Sequence, residues 1–191
     1  AVIQNNLVAS DEDLTVNAAA GDVELQGDVD LAAGGDLALA GANDIDVDGV
    51  VSGAGGLTKT GAGDAFLNNT NTFDGDVDVN DGRLFANDFG GEDAVPDASV
   101  LSVNGDGAFW INHDETIANI GDGSDGEIYL AAGTTLTFGG DDNDTAFDGV
   151  FEQGGVGFGS IVKVGDGVAT LNGDSAAADS PISGPFNLQG G

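Results

Sequence analysis

The chain has no cysteine, three prolines, one histidine, and only three lysines and arginines together. Without cysteine there is no disulfide framework and no thiol chemistry. Against those three cations stand 34 aspartates and glutamates, a formal net charge of −31. Nucleic acid and anionic membrane both need a basic face, so both are excluded as partners. No apolar run approaches the ~18 residues of a spanning helix, so membrane insertion is not expected. No leader is visible, and Ala1 reads as the first residue after a small-residue cleavage site. The 34 glycines follow no Gly-X-Y period, which excludes collagen. Regular apolar spacing argues against simple disorder.

What is present is β-structure. From Gly55 to Leu84 short apolar runs alternate with glycine turns. Leu57, Phe66, Leu67, Phe73, Val77, Val79 and Leu84 are the buried candidates, and Gly61, Gly63, Gly75 and Gly82 the corners. Period-2 alternation between turn signals reads as strand, and no stretch of helical period competes with it. Turn signals recur every six to ten residues through the rest of the chain. Short strands so spaced suit a three-sided β-solenoid. At about 20 residues per rung, near the lower end of solenoid repeats, the chain makes roughly nine rungs.

The pattern also recurs at long range. Lys59, Gly61, Gly63, Leu67 and Asn68 match Lys163, Gly165, Gly167, Leu171 and Asn172. Upstream, Leu31, Gly34, Leu37 and Leu39 match Leu130, Gly133, Leu136 and Phe138. Insertions confined to corners are what a solenoid tolerates. The expected organisation is one domain, 1–191, with repeats 1–82 and 100–191 joined by a looser segment, 83–99. The paired lysines imply a structural role, neutralising stacked aspartates or capping carbonyls.

These residues resemble the autotransporter-associated β-strand repeat of bacterial surface passengers. The resemblance rests on Gly55 to Gly61, Phe66-Leu67, Asn71-Thr72-Phe73, Gly75, Val77 to Asn80, Gly82 and Leu84. It implies a right-handed parallel β-helix, an exported or cell-surface location, and no catalytic residues. The chain departs from it in having aspartate at many expected threonines, and no C-terminal membrane barrel.

Candidate chemistry is sparse. Asp44, Asp46 and Asp48 read DIDVDG, like the start of a calcium loop, but the position twelve residues along is Gly55 where a glutamate is needed. Alternation with Ile45 and Val47 makes this a strand with its carboxylates outward, and Asp74, Asp76 and Asp78 read alike. Stacked at ~4.8 Å, such carboxylates either shift their pKa or capture a cation. Asp141, Asp142 and Asp144 occupy a glycine-rich turn of the kind that holds Ca²⁺. The main reading of these carboxylates is a solvated acidic surface with polar turns, bound calcium is the sharper alternative, and no cofactor is required. His113 has acidic neighbours only along the chain. Trp110, Tyr129 and the ten phenylalanines read as core stacks rather than a sugar platform.

The function expected is that of a structural extracellular or cell-surface solenoid, not an enzyme, assembling head to tail with copies of itself into a filament or layer. Ala1, Val2, Ile3, Leu7 and Val8 at one end, with Phe186 and Leu188 at the other, are the expected interface. An adhesin passenger binding a host or glycan surface is the alternative. A polysaccharide-degrading β-helix enzyme is the outsider, since its acidic substrates require more basic residues than three.

Overall fold

The computed structural model describes residues 1–32, 34–87, 93–154, 159–173 and 186–188. Among these there is no helix. The first half carries β1 (Val2–Ile3), β2 (Leu7–Val8), β3 (Leu14–Ala18), β4 (Val23–Leu25), β5 (Val29–Leu31), β6 (Leu37–Gly41), β7 (Ile45–Val47), β8 (Val51–Gly53), β9 (Leu57–Lys59), β10 (Asp64–Leu67) and β11 (Thr72–Phe73). Two long strands follow, β12 (Val77–Ala86) and β13 (Val100–Ile111). The second half adds β14 (Glu115–Thr116), β15 (Asn119–Ile120), β16 (Glu127–Ala131), β17 (Thr135–Phe138), β18 (Thr145–Phe147), β19 (Val150–Gly154), β20 (Ser160–Lys163), β21 (Ala169–Leu171) and β22 (Phe186–Leu188).

Every pairing is parallel and joins one rung to the next, so the chain coils as a β-solenoid. Face one stacks β3, β6, β9 and the first parts of β12 and β13, then β15. Face two stacks β1, β4, β7, β10, the second parts of β12 and β13, β16 and β19. Face three runs β2, β5, β8, β11. It continues through the backbone of Asp93, whose carbonyl takes the Asn71 amide, to β14, β17, β20 and β22. The coil makes about seven turns rather than nine. The step is not a constant 20 residues. It is 22 from Ile3 to Leu25, 19 from Ala65 to Leu84 and 25 from Leu84 to Phe109.

The core follows from the two-residue period. Leu37 and Leu39, Ile45 and Val47, and Val77 and Val79 point inward with almost no exposure, while the residues between them face out. Burying each such side chain stabilises by about 1.5–3 kcal/mol. Phe73, Phe109, Phe138 and Phe147 are inside as expected. Phe66 is not. In Asp64–Leu67 the inward positions fall to Ala65 and Leu67, which are fully buried, and the period then turns Phe66 outward. Trp110 and Tyr129 leave the core by the same rule, lying between buried Phe109 and Ile111 and between buried Ile128 and Leu130.

Corners are closed by tight backbone approach. A Cβ on Gly49 would overlap the Gly27 carbonyl one rung below, so this corner has room only for glycine. In the looser segment, Ala94, Val95 and Ser99 are buried and fill the third side of their rung without forming a strand.

Lys59 occupies an inward position, in line with Leu39 below and Val79 above, and is 1% exposed. Its Nζ donates to the carbonyls of Thr60 at 3.3 Å, Gly61 at 2.6 Å and Asp81 at 3.0 Å. Gly82, at φ +66°, leaves the space this ammonium needs, for a Cβ there would lie 2.8 Å from Nζ. Burial pushes the Lys59 amine below its ordinary value, opposed by the carboxylates of Asp81 and Asp64. Lys163 is also buried and its Nζ donates to the Gly165 carbonyl at 2.8 Å. The two lysines thus do the same local work, capping the turn that follows their strand. They do it on different faces, Lys59 on face one and Lys163 on face three. We predict that Lys59→Met, which keeps the stem and removes the donor, lowers stability by about 2–3 kcal/mol through the carbonyls left unpaired. Urea unfolding would measure it, and an unchanged midpoint would contradict the capping role.

Candidate functional site

The outward position of face two forms a column through eight rungs: Val2, Glu24, Asp46, Phe66, Phe85, Trp110, Tyr129 and Glu152. The four aromatic residues are partly exposed and stack on one another. Phe66 and Phe85 lie 4.7 Å apart between centroids and 18° from parallel, and Trp110 and Tyr129 3.7 Å apart at 16°. Phe85 and Trp110, across the longest step, are 5.2 Å apart and tilted by 44°. The Arg83 guanidinium sits at this tilted junction, 5.6 Å from the Phe85 centroid and 5.5 Å from that of Trp110. It is held there by a bidentate pair with Asp64, Nε to Oδ1 at 2.8 Å and Nη2 to Oδ2 at 2.7 Å. The Trp110 indole N–H is buried and has no acceptor.

A polar ladder runs along the corner beside these rings. Asn68 Nδ2 donates to Asp48 Oδ1 at 2.9 Å, Asn87 Nδ2 to Asn68 Oδ1 at 3.5 Å, and Asn112 Nδ2 to Asn87 Oδ1. Face two therefore carries a central apolar stripe, an amide ladder on one side, and the Asp64–Arg83 pair on the other.

Several of the aspartates expected as calcium ligands accept backbone amides of a neighbouring rung. At each of the three corners a carboxylate just before a strand accepts the backbone N–H of the corresponding residue one rung on. Asp13 takes the amide of Asp36 at 3.0 Å, and Asp36 that of Gly56 at 2.7 Å. Asp22 takes that of Asp44 at 3.3 Å, and Asp44 that of Asp64 at 3.4 Å. Asp28 takes that of Val50 at 3.0 Å. Asp76 holds Val100 at 3.0 Å, Asp142 holds Asp166 at 2.8 Å and Asp144 holds Val168 at 2.7 Å. Asp141 accepts from its own turn through the N–H of Asn143, and from Asn119 Nδ2 at 3.1 Å. Asp78 lies between Thr58 and Ser102 in its column, so no like-charged ladder forms there. Asp74 lies in the turn before β12 rather than on a strand. Among the described residues, no three carboxylates or imidazoles converge as a metal site. His113 is exposed at a turn.

The corner staple has a sequence signal that the search for metal ligands passed over. An aspartate stands immediately before Leu14, Val23, Val29, Leu37, Ile45 and Val77, the opening residues of β3 to β7 and of β12. The aromatic column had a signal too, since Phe66, Phe85, Trp110 and Tyr129 each lie between two smaller or buried apolar residues.

Of the expected interface residues, Val2 and Val8 are 56% and 68% exposed, and Ile3 and Leu7 are half-buried against the core. Ala1 is exposed and its amino group donates to the Asp22 carbonyl. The side chains of Phe186 and Leu188 lie outside the described residues. A cavity of about 400 Å³ on face three is lined by Asp93, Asp97, Asp114 and Thr137 among others.

Asp46 is where the negative charge presses hardest. Burial raises its carboxyl above the ordinary 3.8, and Asp48, Asp44, Glu24 and Asp22 raise it further. A raised folded-state value means that stability is full with the carboxyl protonated, below the ordinary value, and is lost as pH rises through the raised one. At pH 7 ionised Asp46 therefore opposes folding. Asp46→Asn is predicted to be more stable than the parent at pH 7, with the advantage fading as pH falls below 3.8. Paired urea titrations at pH 7 and pH 3 check this, and an advantage of equal size at both would contradict it.

No curated protein and no solved structure matches the chain. One family does, described as the passenger-associated-transport-repeat, over residues 57–84. That span opens at Leu57 of β9, includes Lys59 and Phe66, and ends at Leu84. Residues 57–84 thus match the passenger-associated-transport-repeat, and this span makes one rung of the solenoid and opens the next.

Proposed function

We propose that the chain is a non-catalytic structural solenoid of the cell surface or beyond, and that copies associate head to tail. The passenger-type repeat supports the location and the scaffold role. The observation that carries the association is the open edge of the first rung. Among the described residues β1, β2 and β3 each pair on one side only, with β4, β5 and β6. Beside these strands Val2 and Val8 are exposed. Such an edge is a template for another strand. A second copy stacked on it extends the parallel ladder. The contact is heterologous and does not close, so it propagates as a filament.

Charge sets the conditions. Two chains of −31 repel, and salt screens the repulsion over about 10 Å at 0.1 M. Association is expected to rise with both protein concentration and NaCl. Val2→Lys with Val8→Lys places charge on the open edge without entering the core. We predict that this pair leaves the β-rich circular dichroism spectrum intact and yields monomers in sedimentation velocity. A parent chain that stays monomeric at high concentration and high salt, or a double variant that assembles equally well, would refute the proposal.

A further inference from the structure

The aromatic stripe of face two lies outside the core. Outward positions of an acidic solenoid are ordinarily solvated and polar, as Thr58, Asp78 and Ser102 are in the adjoining column of face one. Four consecutive large rings there depart from that rule. The four rings are partly exposed, contiguous and framed by polar groups, the make-up of a contact surface.

Its chemistry selects the partner. The stripe ends on carboxylates in both directions, Asp46 below Phe66 and Glu152 above Tyr129. The rings also turn their faces to one another, leaving mostly edges to the outside. A neutral sugar ring stacks on an open aromatic face, which this arrangement does not offer. A second copy of the same stripe would bring like charges together at both ends. A basic partner meets neither obstacle, and one basic group is already seated here. Arg83 is the only lysine or arginine that is not buried, and its guanidinium lies against the rings while a carboxylate holds it.

We propose that the stripe from Phe66 to Tyr129, with the carboxylates at its ends, is a docking surface for an extended peptide segment rich in arginine. Its side-chain stems lie along the ring edges and its guanidinium groups pair with the terminal carboxylates, as Arg83 does with Asp64. The inference does not rest on head-to-tail association, whose open edge includes β1 of this face but lies two rungs below Asp46.

Trp110 is the only tryptophan, so its emission reports directly on the stripe. The full chain would be titrated at 150 mM NaCl with a synthetic alternating Arg-Ser peptide, and separately with a neutral β-linked glucose oligosaccharide. We expect a saturable change in Trp110 emission with the peptide alone. Phe66→Ser with Tyr129→Ser, which keeps the reporter, should weaken binding at least tenfold. Should that variant lose its β spectrum, Asp46→Asn with Glu152→Gln takes its place, with at least threefold weakening expected. Equal affinity for parent and variant would reduce the effect to bulk charge and overturn the proposal. A response to the oligosaccharide and not the peptide would overturn it in favour of a glycan, and no response to either would overturn it outright.

Discussion

Everything in this molecule hangs on one geometric demand, that each rung lie directly over the one before it at strand spacing. The parallel ladder supplies most of that coupling through backbone hydrogen bonds along three faces. Strands of two to five residues cannot do it unaided, since each offers few bonds before the chain must turn. The corners therefore carry their own links. Aspartates and asparagines reach from one rung to the amide of the next, and glycines such as Gly27 and Gly49 let the backbones approach without a side chain between them. Lys59 and Lys163 work at the same places with opposite polarity, giving donors to carbonyls that the turns leave open.

This organisation changes how the acidic composition is understood. A net charge of −31 strains a compact chain, and at Asp46 burial first, then four neighbouring carboxylates, raise the carboxyl. Many of the other carboxylates are not surplus solvent-facing charge. They are acceptors at corners, where aspartate satisfies an amide that has no strand partner. The chain tolerates repulsion between rungs because the same groups bond the rungs together.

The fold class was legible because its signal is local. Two-residue alternation and glycine turns need only a few neighbouring residues to be read, and parallel stacking follows from strands too short to pair within one rung. The number of turns was not, because rung length varies with insertions such as the one before Val100, and no single period describes it. Repeat matching found a true local unit in Lys59-Thr-Gly61 and Lys163-Val-Gly165. It could not tell which face each unit occupies, since corners of different length shift later strands from one face to another. The aromatic stripe was misread for a related reason. Hydrophobicity alone sends Phe66 and Trp110 inward, whereas their position between Ala65 and Leu67, and between Phe109 and Ile111, sends them out. Asp44, Asp76, Asp142 and Asp144, which resemble cation ligands in a one-dimensional pattern, also accept amides one rung away.

The account stands on the corner carboxylates acting as hydrogen-bond acceptors rather than as charges. Asn6 already does the same work without charge, taking the Asp28 amide at 3.1 Å, as does Asn71 for Val51 at 2.8 Å. Replacing Asp28 and Asp36 together by asparagine, and separately by alanine, removes equal charge and differs in the acceptor. The direct measurement is the free energy of urea unfolding of the two double variants. The asparagine pair should be at least as stable as the parent, and the alanine pair less stable than the asparagine pair by about 1–3 kcal/mol. Two pairs of equal stability would contradict the account, as would an asparagine pair that falls as far as the alanine pair.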